Sequence, residues 1–162
     1  TCFNGLFRVN SSGHFNVPVG RYVNPSFPTE EALLEVQEAL QGVEIHLASF
    51  DECGQWVDEN TFVYFDPPYR PLSETSHFVS YSRGQFNDED QTRLATVFTS
   101  LAENGARVML SNSDPTNTMP QDSFFDDLYA EFRIDRVDAN RAINSVAEGR
   151  GAITELLIGN CW

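Results

Sequence analysis

Two consecutive prolines, Pro67 and Pro68, follow directly on the apolar, β-branched and aromatic run Thr61-Phe62-Val63-Tyr64-Phe65. Neither proline can donate to a β ladder and each fixes its own φ, so a strand through residues 61–65 must leave its sheet at Asp66. In open α/β sheets the crevice beyond the carboxyl end of a strand is where ligands bind. Asp66-Pro67-Pro68-Tyr69 therefore offers a cleft a carboxylate, a backbone carbonyl near Pro67 that the ladder leaves unpaired, and an aromatic face. An exocyclic amine has two N–H donors. An ionised Asp66 and that carbonyl would accept both, drawing the nitrogen lone pair out of conjugation with the ring, while Tyr69 supports a base taken out of its stack. Such stacking is worth about 1–3 kcal/mol against a flipping cost of a few kcal/mol, so contacts elsewhere must supply the rest. The same four residues also make a sound turn, with Asp capping and Tyr closing a core. What separates the two readings is the company the motif keeps.

The remaining chain supplies an α/β setting. Leu6–Val9 and His14–Val19, around Asn10-Ser11-Ser12-Gly13, read as a hairpin. Asn24-Pro25-Ser26-Phe27-Pro28 breaks the chain, and Thr29 caps a helix to about Leu40 with Glu30 and Glu31 in its first turn and Leu33, Val36, Ala39 and Leu40 on its apolar face. Val43–Leu47 and Thr61–Phe65 read as strands separated by a polar stretch at 51–60. Asn87 caps a helix carrying Leu94, Val97, Phe98 and Leu101 at helical spacing. Gly105 ends it, and Arg107–Leu110 is the next strand, completing a βαβ unit. A short helix at 122–131 and strands at 133–137 and 153–158 finish the domain. The sheet is expected to be parallel except where the last two strands pair across their loop.

Composition excludes several alternatives. Cys2, Cys53 and Cys161 have neither disulfide nor zinc spacing, and His14, His46 and His77 form no metal pair, so bystander thiols and no metal are expected. No apolar run is long enough for a membrane span and residues 1–10 lack the regions of a signal peptide, so a cytoplasmic protein is expected. The 24 acidic residues face 10 basic ones, all arginine, for a net charge of −14. That sum opposes nucleic-acid binding, yet residues 1–29 contain Arg8, Arg21 and His14 with no Asp or Glu and can face a polyanion. An acid-rich, lysine-free surface also suits a high-salt cytoplasm, where a Debye length of about 3 Å at molar salt mutes repulsion. A halophilic source is one expectation.

Asp66-Pro67-Pro68-Tyr69 resembles the catalytic motif of amino-methyltransferases. Phe3-Asn4-Gly5-Leu6-Phe7-Arg8-Val9-Asn10 with Phe15-Asn16-Val17-Pro18-Val19-Gly20-Arg21-Tyr22 resembles the recognition hairpin of Dam-type (D12 class) DNA adenine methylases, and the hairpin precedes the motif as in that group. Arg141-Ala142-Ile143-Asn144-Ser145, Arg150-Gly151 and Thr154-Glu155-Leu156-Leu157-Ile158 resemble its closing loop and strand. The resemblance covers nearly the whole chain. It implies a Rossmann-like class I methyltransferase sheet with a recognition hairpin, and S-adenosylmethionine-dependent methylation of adenine N6 in double-stranded DNA, typically within GATC. By position, the resemblance gives the catalytic role to Asp66, Pro67, Pro68 and Tyr69, with Asp66 also beside the cofactor. Asn4, Leu6, Arg8, Pro18 and Tyr22 would face bases and Arg21 a phosphate, and Asn10, Arg141, Asn144 and Ser145 would join the DNA-binding set. Residues 1–28 would end the target-recognition domain and 29–162 form the catalytic domain; a monomer is expected.

The family's glycine-rich cofactor loop, a Phe-x-Gly-x-Gly after a first strand, has no match here. The expectation is a chain incomplete on its N-terminal side. Two other functions remain open: an amino-methyltransferase for cytosine N4 or RNA, since the motif chemistry needs only an exocyclic amine, and an inactive DNA-binding module. A C5-cytosine methylase is disfavoured because no cysteine stands in a Pro-Cys context.

Overall fold

The computed structural model describes residues 7–10, 12–20, 23–71, 86–140 and 152–161. It contains two compact units, residues 1–47 and 48–162.

In the first unit a turn is built by one side chain. Asn10 Oδ1 accepts from the backbone N–H groups of Ser12 and His14, both at 3.0 Å, and Gly13 follows at φ 77°. Val9 and Phe15 then form an antiparallel bridge, with the Phe7 and Phe15 rings 5.6 Å apart. Helix α1 spans Glu30–Ala39, and Thr29 caps it by accepting from Ala32 N. Its expected apolar face is present but buries nothing within the described residues; Leu33 and Val36 are both more than half exposed. Val43–Leu47 is not a strand, contrary to its β-branched composition. A strand needs a ladder partner. None pairs with this segment among the described residues, and Ile45 is 88% exposed.

The second unit carries the sheet. A 3-10 helix, Phe50–Trp56, occupies much of the polar stretch at 51–60, and it begins with a Ser49/Glu52 capping box. Strand β1 is Phe62–Phe65, helix α2 Asp88–Glu103, β2 Arg107–Ser113, α3 Phe124–Leu128, β3 Arg133–Asn140 and β4 Ala152–Gly159. The strand order is β1-β2-β4-β3. β1 and β2 are parallel neighbours joined through α2, the βαβ unit read from the sequence. β4 lies between β2 and β3 and is antiparallel to both, so the antiparallel pairing extends beyond the last two strands. Within β4 the stretch Leu156-Leu157-Ile158 is apolar on successive residues, as suits a strand with neighbours on both sides.

Asn87 caps α2 by accepting from Glu89 and Asp90, and Gly105, at φ 93°, turns the chain back into β2. Leu94, Ala95, Phe98 and Leu101 line the buried side of α2 and share one core with Phe65, Val108, Leu110, Leu156 and Ile158. Phe98 is fully buried, with the Tyr129 and Phe132 rings edge-on to it at 5.2 and 4.9 Å. This core fixes the carboxyl ends of β1 and β2 beside the first turn of α2. Among the described residues, no helix is long and apolar enough to cross a membrane, and no group of three His, Cys, Asp or Glu side chains could hold a metal ion.

Candidate active site

Asp66 leaves the sheet one residue after β1 and is exposed, while the matching end of β2 carries a polar run, Ser111-Asn112-Ser113-Asp114, that is wholly buried. Ser111 Oγ donates to Asp66 Oδ1 at 3.2 Å. Among the described residues no cation pairs with Asp66, so its charge is oriented by a neutral donor and left uncompensated. Tyr69 stands next to it, 37% exposed, with its hydroxyl 3.5 Å from Glu155 Oε2 on β4. Burial raises the pKa of the Tyr69 hydroxyl, a hydrogen bond with Ser111 opposes that, and the carboxylates of Glu155 and Asp66 reinforce it. The phenol stays protonated at neutral pH.

The backbone of the motif is held by side chains, as it must be where prolines remove ladder donors. Gln91 Nε2 on α2 donates to the Pro68 carbonyl at 3.2 Å. The Arg70 N–H donates to Asn112 Oδ1 at 3.0 Å, and Ser113 Oγ donates to the Arg70 carbonyl at 2.6 Å. No side chain among the described residues donates to the Pro67 carbonyl. The Arg70 guanidinium grips Asp88 through Nε and Nη2 at 2.8 and 3.0 Å, reaches Asp122 at 2.7 Å, and lies 4.4 Å from the centre of the Phe124 ring. Hydrogen bonding to Asp88 above all, and to Asp122, raises its pKa against the effect of burial. The segment after the strand is thereby fastened to α2, β2 and the approach to α3.

A second anchor lies where β3 and β4 emerge. The Asp114 side chain is fully buried and accepts from Thr154 Oγ1 at 2.6 Å, Thr116 Oγ1 at 2.7 Å and Arg136 Nε at 3.1 Å. Burial alone would raise its pKa; the Thr154 and Thr116 hydrogen bonds and the Arg136 charge outweigh it, so the carboxyl sits below its ordinary value. Burial pushes the Cys53 thiol up, away from the reactive thiolate.

Of the other residues singled out from the sequence, Arg8, Asn10 and Pro18 are described, and all three are exposed. Arg8 Nε donates to Asn16 Oδ1 at 3.0 Å and pairs with no carboxylate among the described residues. Asn10 makes the turn. Asn4, Leu6, Arg21, Tyr22, Arg141, Asn144 and Ser145 lie outside the described residues. Sequence reasoning missed Ser111, Gln91, Asn112, Arg70 and Glu155. The available signal was the polar run closing an apolar strand that is parallel to β1 and next to it.

The chain matches the family described as D12 class N6 adenine-specific DNA methyltransferase over residues 1–143. It is 47% identical over 161 residues to the type II methyltransferase M.MjaIII of Methanocaldococcus jannaschii, covering 99% of this chain and 54% of that protein. It is 42% identical over 160 residues to the type II methyltransferase M1.LlaDCHI of Lactococcus lactis subsp. cremoris, covering 98% and 54%. It is 36% identical over 155 residues to the DNA adenine methylase of Escherichia coli (strain K12), covering 96% and 53%. The chain spans about half the length of the curated relatives it matches.

Proposed function

Because this chain belongs to the D12 class of N6 adenine-specific DNA methyltransferases, we propose that it carries the catalytic motif for methylating adenine N6 in double-stranded DNA. The observation that carries this reading is the uncompensated Asp66 carboxylate at the open end of β1, beside a Pro67 carbonyl to which no described side chain donates. Two acceptors next to one another suit the two N–H donors of an exocyclic amine. Tyr69, exposed on the same segment, provides the ring against which a flipped adenine rests. Asp66 and the Pro67 carbonyl turn the amine so that its lone pair points away from the base plane. The proton that the nitrogen gives up on gaining a methyl group is held at the Asp66 carboxylate before passing to water.

S-adenosylmethionine supplies the methyl group when bound. A strand end whose Asp66 pairs with no cation among the described residues fits a ligand that carries a sulfonium, and Asp66 is the residue of this chain that would lie beside it. The strand order β1-β2-β4-β3, with β4 inserted antiparallel, supports a Rossmann-like methyltransferase sheet. Residues 1–28 meet DNA and 29–162 carry the chemistry. Arg8, whose partner among the described residues is the neutral Asn16, is the group of that segment suited to donate to a guanine edge. Arg21 holds a phosphate, and Asn4, Leu6, Asn10, Pro18, Tyr22, Arg141, Asn144 and Ser145 complete the contact set. GATC is the first sequence to test.

The deciding experiment gives the protein, expressed from its complete coding sequence, duplex DNA and S-adenosylmethionine labelled in its methyl group, then digests the DNA to nucleosides. Label in N6-methyl-2′-deoxyadenosine from GATC duplexes is expected. Label in N4-methyl-2′-deoxycytidine, or none, overturns the reading.

A further inference from the structure

We propose that Gln91 and Asn112 are positioning residues: a hydrogen-bonded amide pair, sealed between α2 and the end of β2, that turns the Pro68 carbonyl inward and leaves the Pro67 carbonyl to act with Asp66. The positional part rests on geometry alone; the catalytic part rests on the reading above. Both side chains are fully buried. Gln91 stands at the head of an α2 face otherwise made of Leu94, Ala95, Phe98 and Leu101, where an apolar residue would join the core at no polar cost.

The direction of every bond in the pair follows from the backbone. Arg70 N–H and Ser113 N–H both donate to Asn112 Oδ1, at 3.0 and 2.9 Å. Two donors on one atom require the amide oxygen there, which turns Asn112 Nδ2 toward Gln91. Asn112 Nδ2 donates to Gln91 Oε1 at 3.1 Å, which in turn leaves Gln91 Nε2 facing the Pro68 carbonyl at 3.2 Å. The network thus reads out at both ends on the segment after β1, at the Pro68 carbonyl and the Arg70 N–H. An amide in the opposite sense would set oxygen against oxygen at Pro68. Since the two prolines have fixed φ, holding the Pro68 carbonyl and the Arg70 amide narrows the orientations open to the Pro67 carbonyl between them and Asp66. Gln91 and Asn112 touch no base and no methyl donor; they act through the motif.

Two readings on Gln91→Met, which keeps the length of the side chain and removes its hydrogen bonding, test the proposal. Hydrogen exchange of the Arg70 amide is expected to accelerate at least tenfold, at a temperature where the core amides of Val108 and Leu110 exchange as in the wild type. In methyl transfer to duplex DNA, kcat is expected to fall at least tenfold with KM for DNA within twofold. Asn112→Asp, which still accepts from Arg70 and Ser113 but cannot donate to Gln91, should keep Arg70 protected and lose kcat. Unchanged Arg70 exchange in Gln91→Met overturns the clamp. Faster exchange with wild-type kcat in Gln91→Met, or wild-type kcat in Asn112→Asp, overturns the catalytic part and leaves a purely structural pair. A wild-type protein without adenine methylation would instead refute the proposed function, and the exchange reading would still decide the clamp.

Discussion

Asp66 is a carboxylate held at 3.2 Å by a serine hydroxyl with no described cation to neutralise it, so replacing it changes the charge presented to a ligand more than it changes packing. Asp66→Ala and Asp66→Asn should each lower methyl transfer more than tenfold, about 1.4 kcal/mol of transition-state stabilisation, while DNA affinity stays within twofold. Single-turnover rates beside binding titrations check this, and a variant keeping more than a tenth of the rate removes Asp66 from the role. Tyr69 differs in kind. Its hydroxyl is taken up by Ser111 and, at the 3.5 Å outer limit of a hydrogen bond, by Glu155, so the ring is the part left to meet a base. Tyr69→Phe should keep most of the rate and Tyr69→Ala should lose about 1–3 kcal/mol of base stacking. Equal damage from both would show that the hydroxyl matters. The motif is legible in the sequence through the hairpin and closing strand that accompany it, since Asp-Pro-Pro-Tyr by itself also makes a turn. Gln91 is not, since a glutamine beside Asp88, Glu89 and Asp90 reads as part of a solvated helix start.

At the scale of elements, β4 is placed by pairing on both sides, and Asp114 ties its Thr154 to Arg136 of β3 and to the 3-10 turn at Pro115–Asn117. Because the Asp114 carboxyl titrates below its ordinary value in the folded state, its contribution is fully present above the unfolded value of about 3.9 and is lost as pH falls through the folded one. Asp114→Asn should therefore destabilise the protein at pH 7 by about 2 kcal/mol, the scale of hydrogen bonds to a charged group, and the gap in melting temperature should begin to narrow only below about pH 4 and close once pH has fallen through the lowered folded value. A gap that stays constant with pH would show that Asp114 acts through shape alone. Caps and periodicity make α1, α2 and β2 readable, since Thr29, Asn87 and Gly105 act within a few residues of themselves. The insertion of β4 and the fate of Val43–Leu47 are decided by partners distant in sequence, which local pattern does not encode. The polar tail of β2 likewise reads as the start of a loop, although it is buried against the motif.

Charge is a property of the whole chain, and it sets two salt responses of opposite sign. The net charge of −14 contains no lysine, and Arg70, Arg93, Arg133 and Arg136 are each already paired with carboxylates in the second unit. Much of the acidity therefore has no counter-charge nearby, and self-repulsion opposes the compact state. Raising ionic strength from 0.1 M to 1 M shortens the Debye length from about 10 Å to about 3 Å, which removes this long-range repulsion. The same screening weakens the exposed ion pairs, but those contribute only about 0–1 kcal/mol each, and the Arg70 cluster is partly shielded from water. Repulsion relieved should outweigh attraction lost, so the melting temperature should rise with KCl over that range. DNA binding should respond in the other direction. The segment 1–29 carries Arg8, Arg21 and His14 without a carboxylate, and each phosphate contact made by such groups adds about one unit to the fall of log affinity with log salt. Arg21→Ala should reduce that slope by about one on cognate and non-cognate duplexes alike, whereas Arg8→Ala should cost about 1–3 kcal/mol on the cognate site and relax discrimination at one base pair. One KCl titration followed by thermal unfolding and by DNA binding checks both signs: a melting temperature that falls with salt would refute the repulsion argument, and salt-independent DNA affinity would show that the basic segment does not meet the phosphate backbone.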